Sequence, residues 1–140
     1  MSAREFTCVV CPNGCSIVVE VDDDETPVVA KVRGNVCKRG EEWARQEVEN
    51  PLRTIASSVS VSGGDFPLAS VRTTRPIPLG KIRDVMETIR QVTLAAPVEI
   101  GDVVLVSPAG CDTEVIATRG VGSASRDVRR AAKAKGGMKE

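Results

Sequence analysis

The sequence predicts an α+β protein, with an N-terminal four-cysteine metal module built on a β-hairpin and a C-terminal βαββ unit. Three observations carry the prediction. Four of the five cysteines lie between residues 8 and 37. Short runs rich in Val, Ile and Thr recur between clusters of Gly, Pro, Asp and Ser, the pattern of strands and turns. One segment, residues 79–92, places apolar residues at helical spacing. A chain of 140 residues has room for one ordinary domain or two small ones.

The elements follow in chain order. Residues 1–7 are polar, carry Arg4 and Glu5, and lack the apolar stretch of a secretory signal. Residues 16–21 (SIVVEV) and 28–33 (VVAKVR) are β-branched runs, and DDDETP between them is a strong turn signal, so a hairpin is expected. Residues 41–49 open on acidic residues and stop at Pro51, as a helix does, with Trp43, Ala44 and Val48 on its apolar face. Residues 51–66 read as a connection holding one strand-like piece, 56–61, before a Ser-Gly-Gly-Asp loop. A strand is expected at 68–73, and Pro76 and Pro78 fix an extended lead-in to the next helix. That helix covers 79–92, with Leu79, Ile82, Val85, Met86, Ile89 and Val92 on one face. Strands at 98–106 and 114–118 flank a turn at 107–112. The expected organisation is a cluster-binding module (1–50), a connection (51–66), a βαββ domain (67–119) and a basic, flexible tail (120–140).

Composition excludes several chemistries. The chain has no histidine and no tyrosine, and its only aromatic residues are Phe6, Trp43 and Phe66. Histidine-based nucleophilic triads and histidine-containing metal sites are therefore impossible. Stacking platforms for single-stranded nucleic acid lack their aromatics. Nineteen basic residues balance nineteen acidic ones, so charge gives no reason to expect a nucleic-acid partner. The balance hides an asymmetry: the tail from residue 120 is +4 and the rest is −4. No apolar run is long enough to span a membrane, and a cytoplasmic location is expected. Thiols are usually kept reduced there, so clustered cysteines favour metal or redox chemistry over disulfides.

Cys8, Cys11, Cys15 and Cys37 form C-x2-C-x3-C-x21-C. Short spacings let a loop turn its sulfurs inward, helped by Pro12 and Gly14. The hairpin would return Cys37 to the same end. Four thiolates without histidine suit a [4Fe–4S] cluster or a structural zinc ion. The three-plus-one division matches the usual pattern of cubane clusters, whereas structural zinc commonly uses paired CxxC knuckles. Zinc and a purely structural staple stay open as alternatives.

The same residues carry a resemblance. Cys8-x2-Cys11-Pro12-x-Gly14-Cys15, followed by Arg33-Gly34-Asn35-x-Cys37-x-Arg39-Gly40, resembles the [4Fe–4S] module of molybdopterin oxidoreductases. In that superfamily a lysine between cluster and pterin occupies the place of Arg39. At 140 residues this chain is too short to wrap a pterin alone. Over residues 8–119 the chain also resembles a small prokaryotic family, domain of unknown function 1667. The match rests on the cysteine motif, Pro76-Ile77-Pro78, Ala96-Pro97, Gly101-Asp102-Val103-Val104 and residues 115–119. Members of that family are often encoded beside flavin-dependent dehydrogenases, which implies such an enzyme as electron-exchanging partner.

Cys8, Cys11, Cys15 and Cys37 are thus the expected metal ligands, with Lys38 and Arg39 beside the cofactor. No catalytic residue is identified. The expected function is an iron–sulfur electron-transfer or accessory subunit of a larger flavin- or molybdopterin-type oxidoreductase. The alternatives are a zinc-stabilised interaction module, or a subunit completing an enzyme's site in trans. Cys111 is expected to be an incidental thiol, residues 22–25 a solvated acidic turn, and Trp43 a core or edge anchor.

Overall fold

The computed structural model describes residues 1–22 and 26–124. Most of the acidic hairpin tip (23–25) and of the basic tail (125–140) lie outside the described residues. The fold is mixed, mostly strands with two α-helices. The chain divides into two compact units, Met1–Leu52 and Arg53–Glu140.

The first unit contains β1 (Ser2–Thr7), β2 (Ser16–Asp22), β3 (Val28–Arg33) and α1 (Lys38–Glu49). The strands form an antiparallel sheet in the order β1-β2-β3. The expected hairpin is β2–β3. Ile17, Val19 and Val21 alternate along β2 and are fully buried, as the period of a half-buried strand requires. Val29 of β3 and Ala44 and Val48 of α1 complete this core, together with Cys8. Phe6 meets Trp43 edge to face, with ring centroids 6.2 Å apart, so Trp43 is an edge anchor. Arg45 donates to the Val29 carbonyl at 3.2 Å, and Glu49 accepts from the Val29 amide at 3.1 Å, tying α1 to the start of β3. At the end of α1 the Asn50 amide bonds the Gln46 carbonyl at 2.9 Å, and Pro51 bars another turn.

β4 (Leu52–Arg53) spans the division between the units. The second unit continues with β5 (Ala56–Ser62), β6 (Leu68–Thr73), β7 (Ile77–Pro78), α2 (Ile82–Arg90), β8 (Thr93–Ala95), β9 (Val103–Val106) and β10 (Glu114–Ala117). Its main sheet has five strands in the order β8-β5-β6-β10-β9. β5 and β8 run parallel, and the other pairs are antiparallel. α2 packs on β5, burying Val85 and Ile89 among Val59, Val61, Val71 and Val115.

This unit is larger than the expected βαββ. The strand-like piece expected at 56–61 within the connection is β5, and it belongs to this sheet, pairing with β6 and β8. β8 was not expected at all. The strand expected at 98–106 shortens to β9, because residues 99–102 turn: Asp102 accepts the Glu99 amide at 2.8 Å and Gly101 has φ +94°. The helix expected at 79–92 opens as a 3-10 turn, Leu79–Lys81, and Leu79 is 46% exposed. Val121, which composition assigned to the tail, is buried and bridges Val98.

Candidate metal centre

Two loops carry the four cysteines, and strand register fixes where they lie. Thr7, the last residue of β1, pairs with Ser16, the first of β2. Residues 8–15 are therefore the β1–β2 connection, which holds Cys8, Cys11 and Cys15. The Cys8 amide donates to the Cys15 carbonyl at 2.8 Å and closes the loop. Gly14 turns with φ +58°, the left-handed conformation that glycine adopts most cheaply.

On β3, Arg33 pairs with Val18, so the chain leaves the sheet at the same end. Gly34 has φ +84°, and a Cβ there would fall on the Ser16 carbonyl oxygen. The segment leading to Cys37 thus runs against the backbone next to Cys15. Cys37 is the N-cap of α1, with extended backbone and no side-chain capping bond. Its carbonyl accepts from the Glu41 amide and from Asn35 Nδ2, each at 3.4 Å.

Gly40 completes the arrangement. It is buried in the first turn of α1, and a Cβ there would lie 3.6 Å from Cys8 Sγ and 3.5 Å from Ile17 Cδ1. The Cys8 sulfur therefore faces the helix turn that begins at Cys37. Gly40 enters the sequence motif only as the residue after Arg39. The signal of its packing role is a glycine inside a helix, which costs about 1 kcal/mol relative to alanine unless packing requires it.

The fold thus gathers the two cysteine loops at one end of the three-stranded sheet. It does not draw the side chains together: among the described residues, no three Cys, Asp or Glu side chains group closely enough to hold a metal ion. All five cysteines are free thiols. Cys8 is buried, Cys11 and Cys15 are half-buried, and Cys37 is exposed. Val9 and Val36, each adjacent to a cysteine, are exposed apolar residues. Lys38 pairs loosely with Glu42 at 3.9 Å. Arg39 is exposed and makes no ion pair among the described residues. Cys111 belongs to the second unit and is buried in its core. No helix among the described residues is long and apolar enough to cross a membrane.

Comparison with known proteins adds the following. No curated protein matches the chain. The NMR structure of the Clostridium perfringens protein CPE0013 aligns with a TM-score of 0.48 at 19% identity, covering 53% of this chain and 88% of that one. Residues 38–119 match the model of the family described as protein of unknown function (DUF1667). The match starts one residue after Cys37, so it takes in Lys38, Arg39 and Gly40 and none of the four clustered cysteines. It spans more than half of the sequence, and the chain belongs to the DUF1667 family.

Proposed function

We propose that the protein is a small iron–sulfur subunit that carries electrons for, or is an accessory of, a larger oxidoreductase of flavin or molybdopterin type. The observation that carries the reading is the placement of the Cys8–Cys15 connection and Cys37 at one end of the first sheet. Cys8, Cys11, Cys15 and Cys37 would hold a [4Fe–4S] cluster. The donor set fits, being all thiol and free of histidine. Bound there, the cluster would supply one-electron transfer.

The surrounding residues support an anionic group at this place. Lys38 and Arg39 stand in the first turn of α1, where the helix dipole disfavours cations by about 0.3–1 kcal/mol each. A cluster with four thiolates carries net negative charge, which offsets that cost and is itself stabilised by nearby cations. First-turn amides have no intrahelical acceptor and are available to a sulfur or an anion. The exposed Val9, Val36 and Cys37 leave the site at the surface, where a redox partner can approach.

Anaerobic purification tests the reading. The expected product is brown, absorbs near ~400 nm, holds about four irons per chain and gives an EPR signal after dithionite reduction. Cys37→Ser should lose the colour and Cys111→Ser should keep it. A colourless protein with one stoichiometric zinc would replace the redox role by a zinc-stabilised interaction module. Equal loss of colour from both variants would overturn the ligand assignment.

A further inference from the structure

The second unit holds a cluster of polar and strained features that the cysteine site does not use. Two clefts meet at the Arg75–Asp112 ion pair, whose Nη1–Oδ2 distance is 2.7 Å. One, of about 440 Å³, includes Thr74, Ser107, Thr113 and Glu114 in its lining. The other, of about 500 Å³, is walled by Pro76, Ile77, Pro78 and Cys111 and carries Lys81.

The loop closing these clefts is strained. Ser107 and Ala109 hold φ of +47° and +51° without being glycine, and Gly110 follows at +74°. Non-glycine residues in this region cost about 1–3 kcal/mol each and persist where the surroundings over-determine them. Here the Ser107 amide donates to the Thr113 carbonyl at 2.9 Å, and the Cys111 amide to the Pro108 carbonyl at 3.0 Å. Thr113 also fixes Arg75. Its buried hydroxyl accepts from the Arg75 amide at 3.0 Å and donates to the Arg75 carbonyl at 3.2 Å. The backbone is thus anchored at the point from which Arg75 reaches the clefts.

Charge decides which cleft takes an anion. The first sets Arg75 against Asp112 and Glu114 and is net negative. The second sets Arg75 and Lys81 against Asp112 and is net positive. Asp112 bonds one guanidinium nitrogen, and a guanidinium has five donors, so others remain for a ligand. Among the described residues Lys81 makes one ion pair, at 3.6 Å with Asp84 in the first turn of α2. The exposed rings of Pro76 and Pro78 suit an apolar body, while the Ile77 side chain between them is buried in the core.

We infer that the Pro76–Pro78 cleft binds a small carboxylate with an apolar body, its carboxylate on Arg75 and Lys81 and its chain against the rings of Pro76 and Pro78. Asp112 holds Arg75 in place and weakens binding by like-charge repulsion. This reading stands independently of the cysteine site.

The test is a titration of the ¹⁵N-labelled full chain with sodium hexanoate, followed by amide shifts. The expected result is saturating shifts at Arg75, Lys81, Gly110, Cys111 and Asp112. Arg75→Gln and Lys81→Gln should each weaken binding about 10- to 100-fold, the loss of one charge-assisted hydrogen bond. Asp112→Asn should tighten it about 2- to 5-fold, as an exposed charge interaction allows. Dispersed spectra of all three variants would confirm folding. Hexanol producing the same shifts would overturn the proposal, since an uncharged ligand would then suffice. So would phosphate binding in hexanoate's place, affinity unchanged in both the Arg75 and Lys81 variants, or no saturation.

Discussion

Gly34 and Gly14 both adopt positive φ in the first unit, and their surroundings separate them. At Gly14 the nearest atom to an added Cβ is Thr7 Cγ2 at 3.8 Å, so Gly14→Ala meets only the conformational penalty, about 1–2 kcal/mol. At Gly34 the same Cβ would collide with the Ser16 carbonyl, which cannot retreat without breaking the β2 ladder. Gly34→Ala should therefore cost at least twice as much. Trp43, the chain's single tryptophan, reports unfolding of this unit by fluorescence in urea. Equal costs would show that the close approach at Ser16 is not maintained in solution. A second contrast isolates the Thr113 hydroxyl. Thr113→Val keeps the shape and leaves the Arg75 amide without its acceptor, at a cost of about 1–3 kcal/mol. Thr113→Ser keeps the hydroxyl and loses one methyl, about 1 kcal/mol. Faster amide exchange at Arg75 in the valine variant alone would mark the hydroxyl as the anchor. Equal exchange in both would assign the effect to packing.

At the scale of elements, α1 offers a test in which two effects have opposite signs. Arg39 opposes the helix dipole and has no ion pair to compensate among the described residues. In the iron-free protein, Arg39→Glu should stabilise the first unit by about 0.6–2 kcal/mol, since it removes an unfavourable charge and adds a favourable one. In the iron-loaded protein it should speed loss of the cluster, because it replaces an attraction by a repulsion. Stabilised apo-protein with unchanged iron retention would remove Arg39 from the site. The elements also show what the sequence could reveal. β2 and β3 were legible as β-branched runs on either side of an acidic turn; the sheet buries Ile17, Val19 and Val21 on one face of β2 and leaves Ser16, Val18, Glu20 and Asp22 on the other. β1 was not, because an edge strand exposes most of its side chains and is held by backbone pairing that leaves no periodic trace. β8 escaped for a similar reason: three residues are too few for a period, and its place is set by parallel pairing with β5 after α2. The cysteine loops were legible from the short spacing of Cys8, Cys11 and Cys15 and from the hairpin that returns the chain toward Cys37. The Arg75–Thr113 cluster was not, since its residues lie nearly forty positions apart in sequence and meet where β10 pairs with β6.

At the scale of the whole molecule, each unit has its own core, and the two cores differ in size. The first is built from residues 1–52 and its buried set is small: four strand residues, two helix residues and Cys8. A domain this short removes only about 60% of its unfolded surface from water and is marginal without a staple. A metal held by four thiolates binds the folded unit in preference to the unfolded one, so it adds stability by mass action. The second unit contains Cys111 but none of the four proposed ligands. Removing the metal with a chelator should therefore act unequally. The Trp43 transition should fall by about 2–4 kcal/mol, the range expected for a ligand well above its dissociation constant. Amide exchange at Val71 and Val115, in the middle of the second sheet, should stay unchanged. A uniform shift of both would show that the two units unfold as one cooperative body. No shift in either would mean the thiols contribute nothing to stability as ligands. Zinc and iron predict the same unequal response, because both act through the same four sulfurs. The exchange pattern thus reports the staple, and the visible spectrum and EPR report the redox role.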